Sequence, residues 1–197
     1  DLGFRLARFG HRSAMFASTT YEEAPTRFGA WLRQRSRWMK GWMQTWTVHM
    51  RSPRNLWRDA GARGFFTLNI IVGGNVLTAL VHPIMLAELL IPSAMRALDS
   101  NVVSFLASNF AELHVAAIAA GYLSTVVIGL IGLARRRLLR EAWILVLTPL
   151  YWICLSVAAW RALYQFATDP YRWEKTEHGL ARHSRLAARR GGVRDSA

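Results

Sequence analysis

Cysteine is nearly absent from this chain, since Cys154 is the only one among 197 residues. A single thiol excludes a framework of intrachain disulfides. Cys154 stands inside an apolar stretch, and we interpret it as a small buried apolar side chain.

Acidic residues are also scarce. Twelve Asp and Glu stand against 25 Lys and Arg, which leaves a formal net charge of +13. The excess is confined to the flanks: residues 1–64 carry 12 basic and 4 acidic side chains, residues 134–197 carry 12 and 5, and residues 65–133 carry 1 and 3. A basic chain can bind nucleic acid, but these basic residues flank apolar runs of bilayer length. We therefore predict a membrane protein with cytoplasmic flanks and no nucleic-acid partner.

Two long runs lack charge almost completely, and each can cross a hydrocarbon core of ~30 Å. The first predicted transmembrane helix lies within 64–92, where Glu88 is the only charged residue, and the second occupies 113–133. Between them we predict an outer loop over 93–112 that contains a short apolar piece. Residues 134–141 follow as a basic cytoplasmic loop.

A third apolar stretch, residues 142–168, leaves the topology open. As a third span it would carry the basic tail across the membrane, against the charge rule. Arg161 and Pro149 within it favour a re-entrant or interface-lying helix pair, which keeps both flanks cytoplasmic. A third true span with an external tail is the alternative.

Residues 26–63 are predicted as interfacial amphipathic helices, the first capped by Thr26. Large apolar residues recur there at steps of three and four, which is helical periodicity, and four of them are tryptophans within 16 residues. Arg33, Arg37 and Lys40 fall largely off this stripe. Aromatic rings on one side and cations on the other suit the headgroup region of a bilayer. An ordinary amphipathic core helix is the alternative.

The first 20 residues are typical of the end of a soluble α/β domain. We expect a short helix from Leu2 that Gly10 ends, followed by a strand over Ser13–Ser18. The acidic pair Glu22 and Glu23 then lies in a loop before Pro25, where we interpret both carboxylates as solvated.

Two short motifs carry chemistry. Gln34-x-x-Arg37-Trp38 lies in the tryptophan-rich segment, and its spacing allows all three side chains to share one helix surface. Arginine binds phosphate oxygens bidentately, and a tryptophan face packs against the C–H side of a sugar ring. Trp173-Glu174-Lys175-Thr176-Glu177-His178-Gly179 follows the third apolar stretch.

Both motifs, in this order and separated by membrane spans, resemble those of processive family 2 glycosyltransferases, the cellulose-, chitin- and hyaluronan-synthase-like enzymes. Gln34, Arg37 and Trp38 match the Q-x-x-R-W signature, which in that family holds acceptor and diphosphate. The second motif resembles the gating loop F-x-V-T-x-K-G, with Trp173, Thr176 and Gly179 aligned. His178 stands where the family has lysine, so a cationic phosphate contact there depends on pH.

The resemblance covers about residues 1–180 and implies a fold that is mainly α. Membrane-embedded and interfacial helices would follow the truncated end of a GT-A α/β catalytic domain at 1–25, and 169–197 would be a gating-loop-like motif with a basic cytoplasmic tail. The chain starts with Asp1 and not with Met, and the resemblance places the general base just upstream of Asp1. No catalytic residue and no metal ligand is therefore assigned within the chain.

The implied function is that of an inverting hexosyltransferase that moves a sugar from a nucleotide-sugar to a growing polysaccharide or lipid-linked acceptor. Its divalent cation, Mg or Mn, would have ligands outside this chain, so the chain alone should be inactive. We expect an integral protein of a bacterial inner membrane, with both motifs at the cytoplasmic face. The alternative is a non-catalytic basic membrane anchor or transport subunit.

Overall fold

The computed structural model describes residues 1–14, 16, 18, 24–95, 101–172 and 174, with side chains for all of these except 88–95 and 101–111. The described part is mainly helical and contains no strand. Its α-helices are α1 (Leu2–Arg8), α2 (Phe28–Met50), α3 (Pro53–Thr67), α4 (Gly74–Met95), α5 (Asn101–Arg135) and α6 (Thr148–Thr168). A π-helical segment, Leu68–Gly73, joins α3 to α4, and a 3-10 segment, Leu139–Leu147, precedes α6.

The chain divides into two compact units. Unit 1 comprises Asp1–Gly73 together with Arg161–Ala197, and unit 2 is the intervening Gly74–Trp160. Unit 1 therefore contains α1, α2, α3 and the end of α6, whereas unit 2 contains α4, α5 and the start of α6.

Helix α1 begins and ends where the sequence predicted. Gly10 has a φ of 80°, and the N–H groups of Gly10 and His11 bond back to the carbonyls of Ala7 and Leu6 at 3.0 Å each. This is the glycine-terminated helix end that a left-handed residue permits. The predicted strand does not follow, since the described residues of that stretch (13, 14, 16 and 18) belong to no regular element. A strand requires a neighbour for its backbone hydrogen bonds, and the described residues offer none.

Helix α2 confirms the helical period but not the predicted cap. Its N-cap is Arg27, which makes no side-chain capping bond, and not Thr26. The apolar stripe also divides in two. Met39 and Met43 are buried, whereas Trp38, Trp42 and Trp46 remain 38–45% exposed.

Helix α3 starts at Pro53, where proline fits a first turn because its missing N–H has no partner there. It is interrupted at Gly61, whose φ of 66° and ψ of −178° only glycine adopts without strain. Leu56, Leu68 and Val72 form a buried apolar cluster in unit 1, with Phe4 of α1 and Phe65 packed against it. Apolar residues of α1, α3 and the π-helical segment thereby hold α1 to α3.

In unit 2, α4, α5 and the start of α6 each contribute one ring to a polar cluster. His82 is buried and its Nε2 lies 3.2 Å from the hydroxyl of Tyr122. The ring of Trp152 stacks on that of Tyr122 with a centroid distance of 4.5 Å. A β-carbon placed on Gly121 would lie 3.0 Å from the Trp152 ring, so glycine permits this close approach. Aromatic packing and the contact between His82 and Tyr122 join these three rings.

Three helical stretches are long and apolar enough to span a membrane by length and composition: Pro53–Ala87, Glu112–Arg135 and Leu139–Thr168. Where we predicted an outer loop over 93–112, α4 continues to Met95 and α5 already begins at Asn101. The reason is local, since residues 101–120 contain neither glycine nor proline, the two residues that most disfavour a helix interior. The third stretch combines the 3-10 segment with α6, which alone has 21 residues.

Candidate functional site

Trp38 of the first motif presents its ring at the surface of α2. Its side chain is 45% exposed, and the guanidinium carbon of Arg35 lies 4.3 Å from the ring centroid. The same guanidinium is 5.8 Å from the ring of Trp31. Arginine over an aromatic face is attracted by the ring quadrupole. Sequence reasoning did not single out Arg35.

Arg37 contacts the second motif. Its Nη1 donates a hydrogen bond to the carbonyl oxygen of Glu174 at 3.1 Å, across 137 positions of sequence. Gln34 and Arg37 are half-buried, whereas Trp38 is exposed. The three predicted residues therefore share one stretch of α2 but differ in environment. Arg37 is directed to the segment after α6, and Trp38 to the surface.

The segment after α6, residues 169–172 with Glu174, is held against α2, and we call it the strap. Lys40 is only 2% exposed. Its Nζ donates to the carbonyl of Asp169 at 3.4 Å and also to the carbonyl of Arg172. Gln44 donates to the carbonyl of Pro170 at 2.7 Å. Lys40 is therefore buried among main-chain acceptors, although it falls off the apolar stripe of α2.

Glu174 anchors the other side of the strap to α6. Arg161 binds its carboxylate with two N–H groups, and Gln165 donates to the same carboxylate at 3.1 Å. Hydrogen bonds from Arg161, more than any other interaction, lower the pKa of Glu174 below its ordinary value, against the opposing effect of partial burial. The carboxylate is therefore ionised at neutral pH, and the bidentate pair fixes its orientation.

Glu174 is the one described residue of the WEKTEHG motif. The proposed gating residues Trp173, Thr176, His178 and Gly179 lie outside the described residues, as do the loop acids Glu22 and Glu23. The strap places the start of that motif beside α2.

A second polar network joins α1, α2 and α3. His49 is 2% exposed, and its Nε2 lies 2.9 Å from Oδ1 of Asp1. Its Nδ1 faces Nη1 of Arg8 at 3.5 Å, and Arg8 donates to Asp59 at 2.9 Å. Burial first, and then the positive charge of Arg8, lower the pKa of His49. Since arginine is only a donor, Nδ1 accepts, and the proton of the neutral ring sits on Nε2, which donates to Asp1.

The described residues include no group of three His, Cys, Asp or Glu side chains placed to hold a metal ion. No family model, no curated protein and no solved structure matches this chain.

Sequence reasoning missed Lys40, Gln44 and Arg161 as the residues that hold the strap. Their spacing gives a partial signal, because positions 37, 40 and 44 recur at steps of three and four on one face of α2. Their acceptors, however, are main-chain carbonyls. Every residue has one, so the sequence does not indicate which of them accept these hydrogen bonds. Only the approach of residues 169–174 to α2 reveals the role of these donors.

Proposed function

We propose that this chain is the membrane-embedded C-terminal part of an inverting family 2 glycosyltransferase. The whole enzyme would move a sugar from a nucleotide-sugar to a growing polysaccharide or lipid-linked acceptor. The proposal draws on the motif resemblance, and one structural observation adds to it. Arg37 of the first motif touches Glu174 of the second at 3.1 Å.

That contact matters because the two motifs would have to serve one site. A signature that binds acceptor and diphosphate is useful only if the loop that closes over the nucleotide starts nearby. Lys40 and Gln44 hold the strap one and two turns further along the same helix. Three donors from α2 thus hold the strap.

The side chains around Trp38 suit sugar transfer. An exposed indole ring offers a flat apolar face to an acceptor sugar, while Arg35 already covers the ring at 4.3 Å, which leaves the opposite face as the platform. Arg35 and Arg37 bring two positive charges to this part of α2, where a leaving diphosphate requires them. A guanidinium carries five N–H donors, so the bond from Arg37 to Glu174 is compatible with a phosphate contact.

The same contact supports a proposal for membrane topology. The segments before and after unit 2 touch at Arg37 and Glu174, so in a bilayer both would lie on one face and the chain between them would cross an even number of times. Within unit 2, the start of α6 touches α4 through Trp152, which packs on His82, and through Trp160, which donates to the carbonyl of Leu80 at 3.1 Å. We favour two crossings with a re-entrant or interfacial third stretch, and by the charge rule both motifs face the cytoplasm.

The general base and the divalent cation would belong to the part of the enzyme upstream of this chain. The residues described here would bind and orient the substrates. Trp38 would bind the acceptor, Arg35 and Arg37 would bind the diphosphate, and Gln34 would form the polar edge of the same site. Transfer activity from these 197 residues alone would contradict the proposal.

The decisive experiment compares three variants of the full-length enzyme. Trp38→Ala and Arg37→Ala should each reduce sugar transfer by on the order of 100-fold, because a misplaced acceptor or leaving group costs that much. Trp42→Ala is the matched control, since Trp42 lies one turn further along α2 and is 38% exposed. It should change transfer by less than about threefold, a much smaller effect than loss of a positioning contact.

Membrane insertion must be intact in all three variants, as measured by resistance to alkaline extraction. Normal transfer in both Trp38→Ala and Arg37→Ala would overturn the proposal and favour a basic membrane anchor or transport subunit. Equal losses in Trp38→Ala and Trp42→Ala would assign Trp38 to anchoring of α2 rather than to acceptor binding.

A further inference from the structure

The turn between α5 and the 3-10 segment is built with an arginine where glycine is expected. The N–H groups of Arg137 and Leu138 bond back to the carbonyls of Ala134 and Leu133 at 3.1 and 2.8 Å, which closes the end of α5. Such a helix end requires one left-handed residue, usually glycine. Arg137 takes that role with a φ of 57°. Among the described residues it is the only one besides glycine with a positive φ, a strained backbone conformation for a side chain with a β-carbon.

Arg137 belongs to a dense cluster of exposed cations. Arg135, Arg136, Arg137 and Arg140 are all exposed and lie within six positions. Glu141 is the one acidic residue between 134 and 147. The turn therefore carries a net charge of +3, from four arginines and one glutamate.

Exposed apolar side chains continue from the cations along the 3-10 segment. Trp143 is 62% exposed and Val146 is 78% exposed. Leu145 points the other way, so close to α5 that a β-carbon on Gly129 would lie 2.6 Å from it. One face of the segment thus packs on α5, and the other presents a tryptophan beside arginines. Tryptophan and arginine at the end of an apolar helix suit the headgroup layer of a bilayer.

We propose that this basic turn, residues 135–143, is a binding surface for anionic phospholipid headgroups. Arginine binds the phosphodiester bidentately, and Trp143 inserts at the level of the ester groups. A zwitterionic headgroup would satisfy the phosphate contacts but not the excess charge. Each basic residue near an anionic surface contributes about a fivefold gain in association, so four arginines give a marked preference for anionic over zwitterionic lipid.

Quenching of Trp143 fluorescence measures that preference. The chain is placed in nanodiscs that contain brominated phosphatidylglycerol or brominated phosphatidylcholine at equal mole fraction, and the signal of a Trp143→Phe variant is subtracted. Phosphatidylglycerol should quench Trp143 more strongly. Arg137→Gln with Arg140→Gln should reduce the relative association constant roughly 20-fold. Arg54→Gln with Arg63→Gln removes the same charge from two exposed arginines elsewhere and should leave it unchanged.

Arg137→Gly separates lipid binding from folding, because the two effects have opposite signs. Glycine relieves the left-handed strain, so the unfolding temperature in neutral detergent should rise by roughly 2–4 °C. The preference for phosphatidylglycerol should fall about fivefold. A loss of preference without the gain in stability would indicate a damaged turn. In that case the variant with both Arg137→Gln and Arg140→Gln decides whether the arginines bind the lipid. Equal quenching by the two lipids in the wild type would overturn the proposal, and displacement by millimolar glycerol phosphate would point to a soluble phosphate ligand instead.

Discussion

Arg161 on α6 binds the carboxylate of Glu174 in a bidentate pair, with Nη1 to Oε2 at 2.9 Å and Nη2 to Oε1 at 2.7 Å. The Glu174 side chain is 14% exposed and that of Arg161 is 30% exposed. The pair fixes the strap on the α6 side, while α2 binds its carbonyls on the other. The strap is thereby bonded to α6 through the Glu174 side chain and to α2 through its main-chain carbonyls.

Glu174→Gln should loosen the strap. The amide cannot accept from both N–H groups of Arg161, and the guanidinium loses its counter-charge, at a cost of about 1–3 kcal/mol. Thermal unfolding in detergent should begin at lower temperature, and amide exchange over residues 169–172 should accelerate. Glu141→Gln removes an exposed carboxylate and serves as the control that changes neither. Unaltered exchange in Glu174→Gln would show that the α2 donors suffice.

The same pair makes stability depend on acid. The pKa of Glu174 is lowered in the folded state, chiefly by hydrogen bonds from Arg161, so the unfolded chain binds the proton more readily. The stability that this pair contributes is fully present above the pKa of Glu174 in the unfolded chain. It is lost as the pH falls through the pKa of Glu174 in the folded state. Unfolding temperatures measured from pH 7 to pH 3 should fall more steeply for the wild type than for Glu174→Gln.

Lys40→Met should release the strap from α2. Methionine fills a similar volume but donates nothing to the carbonyls of Asp169 and Arg172, and unsatisfied acceptors cost about 1–3 kcal/mol. Faster amide exchange over 169–172 and a lower unfolding temperature are expected. Arg33→Met changes an exposed cation on the same helix, and its exchange pattern should match the wild type. If both variants exchange alike, the buried ammonium does not hold the strap.

His49 should make unit 1 sensitive to mild acid. Its pKa lies below the ordinary 6.5 because burial and then Arg8 disfavour the cation. The unfolded chain therefore takes up the proton first, and stability falls as pH drops below 6.5. His49→Gln keeps a donor for Asp1 but does not titrate, so its stability should vary less between pH 7 and pH 5. His11→Gln, at an exposed position, should preserve the wild-type slope, and a wild-type slope in His49→Gln would refute this assignment.

Gly121→Ala tests the packing of Trp152. Alanine normally stabilises a helix relative to glycine by roughly 0.5–1 kcal/mol. At Gly121, however, the new β-carbon would lie 3.0 and 3.3 Å from two atoms of the Trp152 ring, and overpacking of this kind costs about 1–3 kcal/mol. The unfolding temperature should fall. Gly132→Ala lies on the same helix with no atom within 4 Å of its β-carbon, so its unfolding temperature should rise.

Local patterns predicted the elements well where a short-range rule applied. The glycine after α1 and the helical period of α2 are examples, because each depends on residues within one or two turns. The strand over Ser13–Ser18 failed in the described residues because a strand depends on a distant partner. The outer loop over 93–112 stays a prediction, although α4 continues to Met95 and α5 begins at Asn101.

By itself, the sequence determined that this is a mainly helical chain with apolar stretches of bilayer length between basic flanks, since composition and period control burial in lipid. It also marked Gln34, Arg37 and Trp38 as residues of interest. Only the tertiary structure decided that Lys40 is buried, that Arg37 reaches Glu174, and that Arg137 adopts a left-handed backbone. These features depend on which main-chain groups meet, and main-chain groups are the same at every position of a sequence.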